Sequence, residues 1–155
     1  MLFRSHIVFS LFLYLIILRF FELDFASKVV FGIFLFLATI LVDLDSRNSK
    51  IGNHWYLRPL QWIFSHRGAL HSLLFCFIFS FLVFSLDKNA GIGFLAGYLS
   101  HLFLDLLTRQ GLFLFWPFSK KKISLLGLKT GGIFEEIFFV LVLLVDVALI
   151  FKFFV

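Results

Sequence analysis

Apolar residues in this chain come in long unbroken runs. They do not alternate, and they do not recur at the three-and-four spacing of a half-buried helix. A helix needs about 20 largely apolar residues to cross a bilayer. The stretches 29–42 with its flanks, 70–86, 90–108 and 133–151 meet that pattern. A fifth stretch, 6–21, is shorter and carries Arg19 near its exit, where a long cationic side chain can snorkel to the interface. The pattern predicts an all-α fold: a polytopic transmembrane helical bundle of about five spans, forming one membrane-embedded domain over residues 1–155. A cleavable signal peptide is the competing reading of 6–21, disfavoured because no small-residue cleavage site precedes Glu22.

Composition strengthens the membrane reading. Hydrophobic residues make up 61% of the chain, with 26 Phe, against roughly 45–50% apolar in soluble domains. The net charge of +5 admits a nucleic-acid partner, but the position of the cations argues for topology instead. Five spans put Arg4, Arg47, Lys50, Arg58, Arg67, Arg109, Lys120, Lys121, Lys122 and Lys129 on the side of the N-terminus. Only Arg19, Lys28, Lys88 and Lys152 remain for the other side. This bias predicts a multi-pass protein of the cell (inner or plasma) membrane, with its N-terminus cytoplasmic. Nucleic acid is not an expected partner; the lipid bilayer is. Trp116-Pro117-Phe118 beside Lys120–Lys122 suits the headgroup region, or serves as a topology signal alone. The single Cys, Cys76, excludes a disulfide framework and is expected as a small core residue.

The chemistry-bearing residues converge. His6 opens the first span, Asp43 and Asp45 close the second, and His66 and His71 lie at the start of the third. His101 and Asp105 fall in the last turns of the fourth, and Glu135 and Glu136 open the fifth. Successive spans run in opposite directions, so all of these residues belong to one face of the membrane. His101 and Asp105, four residues apart, share one face of a helix. Gly68 lies between His66 and His71, where a turn can fold both rings toward one point. Imidazole and carboxylate without thiolate select zinc, manganese or iron over softer metals. Each pair has a plainer reading: His-x-x-x-Asp as a hydrogen-bonded pair, Asp-x-Asp as a solvated helix end. Ionisable groups near hydrocarbon are costly, however, and tend to be paired or functional. His54 is expected at the surface, and Asp146, mid-span in the last helix, in an interhelical hydrogen bond.

The strings His66-Arg67-Gly68-Ala69-Leu70-His71-Ser72 and Gly97-Tyr98-Leu99-Ser100-His101-Leu102-Phe103-Leu104-Asp105-Leu106-Leu107-Thr108 resemble the YdjM-like membrane-bound metal-dependent hydrolases. That family is described as LexA-binding and inner-membrane-associated. Its pattern also has an N-terminal His, matched by His6, and an Asp-x-Asp, matched by Asp43 and Asp45; Trp116-Pro117 and Lys129-Thr130-Gly131-Gly132 before Glu135 resemble its later landmarks. The chain departs from the family at Val42 and Arg109, where Pro is common, and at Leu70, where Thr is common. The family is distantly similar to zinc-dependent phospholipase C and single-strand nucleases, which implies phosphoester hydrolysis.

The expected function is therefore metal-dependent hydrolysis of a phosphoester, lipid-derived or other, at the cytoplasmic face. The expected ligands of one to three divalent ions, zinc by preference, are His6, Asp43, Asp45, His66, His71, His101 and Asp105. Asp45 or Glu135 would act as general base, and Arg67 would hold the phosphate through its planar fork of donors. The alternative is a non-enzyme using the same ligands for metal transport, sensing or clamping of helices. A transport path looks incomplete, because the third span offers only Cys76, Ser80 and Ser85 as polar groups.

Overall fold

A computed structural model describes residues 1–45, 53–63 and 68–154. The described chain is all-helical, without named strands. Helices α1 (Phe3–Phe20) and α2 (Phe25–Leu41) come first, and α2 tightens into a 3-10 turn at Val42–Asp45. The short α3 (Arg58–Ile63) follows, then a 3-10 turn at Ala69–His71, α4 (Leu73–Phe84), α5 (Lys88–Leu106) and α6 (Ile133–Phe154). Four of the five predicted runs keep their ends to within a few residues.

The third run differs. Its helix begins only at Leu73, because the Ser72 hydroxyl accepts a hydrogen bond from Phe75 N–H at 3.4 Å and caps the helix. The preceding residues turn aside, and α4 is left with 12 residues. By length and apolarity two helices, Phe3–Phe20 and Phe25–Asp45, qualify as membrane spans.

Helix α5 owes its lower apolarity to its place at the centre. Gly93, Phe94, Gly97, Tyr98, Ser100, His101, Leu104 and Asp105 are all buried along it. It packs most extensively on α2, and also on α4 and α1. Gly93 and Gly97 make the α2 contact possible. A Cβ on Gly93 would strike the Phe31 carbonyl oxygen, and one on Gly97 the Leu35 carbonyl oxygen. Small residues four apart let helix backbones meet in this way. Phe31–Gly93 and Leu35–Gly97 advance by four residues on both helices, so α2 and α5 run parallel. Ser10 of α1 and Thr39 of α2 share a hydrogen bond of 2.8 Å.

Outward faces are apolar nearly throughout. Phe77, Phe81 and Leu82 on α4 and Leu141, Leu144 and Val147 on α6 are exposed, as suits faces turned to lipid or a partner. Cys76 sits in the core with Ala38, Val42, Phe94 and Leu102, as expected.

The connection between α5 and α6 is folded without being helical. Leu112 and Ile123 exchange backbone hydrogen bonds of 3.0 and 2.9 Å, and Arg109 N–H donates to Leu128 at 2.8 Å. Gly111 is required there: its φ is +62°, and a Cβ would strike the Ile123 carbonyl.

Asp146 departs from expectation. It is buried, yet neither carboxylate oxygen has a hydrogen-bond partner among the described residues. The expected interhelical hydrogen bond is absent there because no donor on the described helices reaches the carboxylate.

Candidate metal centre

The ends of α2 and α5 and the starts of α1 and α4 bring His6, Asp43, Asp45, His71, His101 and Asp105 together. His6, Asp45, His71, His101 and Asp105 are at most 2% exposed. Asp43, at 16%, is the most open of the set.

Two hydrogen bonds orient the central imidazoles. His101 Nδ1 lies 2.8 Å from the Thr39 carbonyl oxygen. A carbonyl can only accept, so Nδ1 carries the proton and Nε2 presents its lone pair. His71 Nδ1 lies 3.1 Å from Asp45 Oδ2, and an ionised carboxylate likewise fixes the His71 tautomer with Nε2 forward.

The two Nε2 atoms face two carboxylates. His101 Nε2 is 3.6 Å from Asp43 Oδ1 and 3.8 Å from Asp105 Oδ2. His71 Nε2 is 3.9 Å and 3.7 Å from the same two oxygens. The four atoms thus alternate nitrogen and oxygen around a closed ring. These gaps are too long for hydrogen bonds, which run at about 2.7–3.2 Å. They are close to what a shared cation requires, since zinc bonds of about 2.0–2.1 Å give tetrahedral edges near 3.3 Å. His101 Nε2, fully buried, has no hydrogen-bond partner, as suits a nitrogen whose lone pair is kept for a metal. The residues present therefore fit a divalent cation of the zinc type, with nitrogen and oxygen donors and no sulfur.

Two ligand trios overlap at His101. His6, His101 and Asp105 offer ligand atoms within 4.8 Å of one another, as do Asp43, His71 and His101. His101 has one available nitrogen, so it serves one ion only. The His6 ring stacks on that of His101 at 4.0 Å between centroids, and its Nε2 lies 3.4 Å from Asp105 Oδ1. Asp105 therefore turns one oxygen toward His71 and His101 and the other toward His6. The Met1 amino group also pairs with Oδ1.

Two residues expected in the chemistry take holding positions. Asp45 stands behind His71, outside both ligand trios. Glu135 accepts through Oε1 from Leu2 N–H at 2.6 Å and Ser5 Oγ at 2.7 Å, and through Oε2 from Gly131 N–H at 2.8 Å. It fastens the start of α6 to the start of α1, where Arg4 also pairs with Glu136. His66 and Arg67 lie outside the described residues. His54 is exposed and stacks on Tyr56 at 5.2 Å, a surface position as expected.

Sequence reasoning missed two supports. The Thr39 carbonyl has no sequence signal, because any residue supplies one. The Tyr98 hydroxyl donates to the Leu70 carbonyl and holds the turn that carries His71. Its position three residues before His101 puts both on one helix face, a signal that could have been used.

The family model described as YdjM inner membrane protein matches residues 1–153. The chain is 33% identical over 102 residues to "Uncharacterized protein YvsG" of Bacillus subtilis (strain 168), covering 63% of this chain and 64% of that one. It is 36% identical over 90 residues to "Inner membrane protein YdjM" of Escherichia coli (strain K12), covering 52% of this chain and 46% of that one. The matched stretches thus span less than two thirds of either relative. No solved structure matches. A family match that begins and ends with the helices carrying this site decides the affiliation: the chain is a membrane protein belonging to the YdjM inner membrane protein family.

Proposed function

We propose that this protein is a metal-dependent hydrolase that cleaves a phosphoester at the cytoplasmic face of the membrane. The observation that carries the reading is the closed ring of Asp43, His71, His101 and Asp105, with nitrogen–oxygen separations of 3.6–3.9 Å. Helices α1, α2, α4, α5 and α6 are taken as five spans, and the cationic bias of the face that carries the site makes that face cytoplasmic. A zinc ion bound in the ring would lower the pKa of water toward about 7 and neutralise charge developing on a phosphorus centre.

The protein's own groups have separable parts. His71 and His101 are held with Nε2 forward by Asp45 and Thr39. Asp43, the most open residue of the ring at 16% exposed, lies where water and substrate would enter and would be the carboxylate to take up a proton there. His6 and the Met1 amino group both turn to Asp105 Oδ1 and hold that carboxylate with its Oδ2 toward the ring. Arg67, which lies outside the described residues, is assigned to the phosphate for its bidentate donors.

A second reading is favoured by one observation. His71, His101 and Asp105 are almost completely buried, and closed four-ligand sites are typical of structural zinc. In that case the ion clamps α2, α4 and α5 together without chemistry. His101→Ala separates the readings, with His54→Ala as the surface control. The hydrolase reading expects His101→Ala to lose most metal and turnover while remaining folded in detergent. A clamp expects it to lose the folded bundle as well. Metal content equal in wild type and both variants would end both readings.

A further inference from the structure

Beside the elements that carry the metal centre lies a cavity of about 230 Å³. Its walls are Val42, Leu44, Leu70, Tyr98, Phe94 and Phe79, with Leu41 at the side. The one polar group among them, the Tyr98 hydroxyl, is committed to the Leu70 carbonyl. Buried water needs polar partners, and protein interiors otherwise leave few voids larger than a water. A space of this size and lining therefore suits an apolar occupant.

The walls and the ligands are sequence neighbours. Val42 and Leu44 flank Asp43, Leu70 precedes His71, and Tyr98 lies one helical turn before His101. On α5 the cavity runs from Tyr98 back to Phe94, four residues and so roughly 6 Å along the axis at 1.5 Å per residue. It reaches Phe79 on α4, whose ring is 36% exposed on the outer, apolar surface. An apolar slot thus borders the elements that carry Asp43, His71 and His101 and reaches the outer, apolar surface at Phe79. Its depth fits within one leaflet, about half of a hydrocarbon core of ~30 Å.

We propose that this slot holds an acyl chain of a membrane phospholipid whose phosphate is presented to the metal centre. The inference rests on the hydrolase reading for the fate of the phosphate, but the binding of the chain can be tested apart from it. A chain drawn in past Phe79 keeps its hydrocarbon in apolar surroundings while its headgroup reaches Asp43 and His101. Substrate would enter sideways from the bilayer, without crossing water.

The test uses the full-length protein in phosphatidylcholine nanodiscs containing phosphatidic acid with a diazirine midway along one acyl chain. After irradiation, labelled peptides are identified by mass spectrometry. Peptides bearing Phe79, Phe94 and Tyr98 should carry about tenfold more label than those of the lipid-facing part of α6, a preference of ~1.4 kcal/mol. Leu41→Trp, which fills the slot, should remove the excess; Leu44→Phe serves if the first variant does not fold. His101→Ala should keep it, because the chain does not need the metal. Equal labelling of the slot and of α6, or an excess untouched by either filling variant, overturns the proposal. Turnover of a small soluble phosphoester by the wild type is measured in parallel. Slot labelling without any turnover supports the lipid slot and counts against the hydrolase reading alone. Turnover without slot labelling overturns the slot and leaves the hydrolase reading standing.

Discussion

Asp45 Oδ2 and His71 Nδ1 meet at 3.1 Å with both side chains buried, and the contact decides which nitrogen of His71 faces the other ligands. Such carboxylate–histidine pairs raise the basicity of the ring and lock its tautomer. Asp45→Asn keeps the size but removes the charge, and its amide can present N–H toward Nδ1. That choice would favour the tautomer with Nε2 protonated, which cannot bind a metal. We expect zinc affinity to fall by roughly 10–100-fold, read by competition with a chromogenic chelator. Unchanged affinity would show that His71 is not a ligand.

Glu135 answers a different question. Its carboxylate takes two donors from the start of α1 and one from the turn before α6. Glu135→Ala leaves those donors without their acceptor, at about 1–3 kcal/mol each where they stay buried. The expected result is a thermal midpoint several degrees lower in detergent, with metal content per folded molecule retained. In Glu135→Gln the Oε1 role can persist, but the amide N–H₂ meets the Gly131 N–H, so a smaller fall is expected. Turnover abolished in Glu135→Gln at full stability would return this residue to the chemistry.

These two acids show what the sequence made legible. Alternating spans and the depth of each polar residue were enough to gather His6, Asp43, His71, His101 and Asp105 at one end of the bundle. Asp45 and Glu135 belong to the same end, but their roles depend on which way each carboxylate turns. That is decided by partners such as Ser5 and Gly131, far away in sequence. Hydropathy starts the third span at Leu70 because it cannot see a hydroxyl cap, yet the Ser72 cap is what frees His71 to turn inward. The centrality of α5 is likewise hidden, since a helix with three Gly, one Ser and one His scores as less apolar when it is in fact the most enclosed.

Arg67 tests the phosphate assignment. Arg67→Lys keeps the positive charge but loses the planar fork. Normal metal content with phosphoester turnover reduced by roughly 10²-fold or more is expected, as for the loss of a well-placed electrostatic donor. Activity intact would leave Arg67 with topology alone. Metal lost together with activity would point to pairing with the ligand carboxylates.

Gly97 carries the prediction that links fold to site most directly. Its Cα faces the Leu35 carbonyl across the parallel α2–α5 contact. One turn further along both helices, Thr39 holds His101 Nδ1 at 2.8 Å. Beyond that, α2 delivers Asp43 and α5 delivers Asp105 to the same ring. A side chain at position 97 must push against backbone, which cannot rotate away as a side-chain tip can. The helices then separate at a point one turn from the metal ligands. In Gly97→Ala the Thr39–His101 bond should lengthen and the ring widen, and misplacement by about 1 Å can cost roughly 10²-fold in a positioned site. We expect zinc affinity to fall at least about tenfold, with Gly97→Val worse than Gly97→Ala. Leu99→Ala, on the exposed face of the same helix, should leave zinc affinity unchanged. If Gly97→Ala loses stability while its folded fraction binds zinc as tightly as wild type, the close approach serves packing only and does not set the geometry of the site.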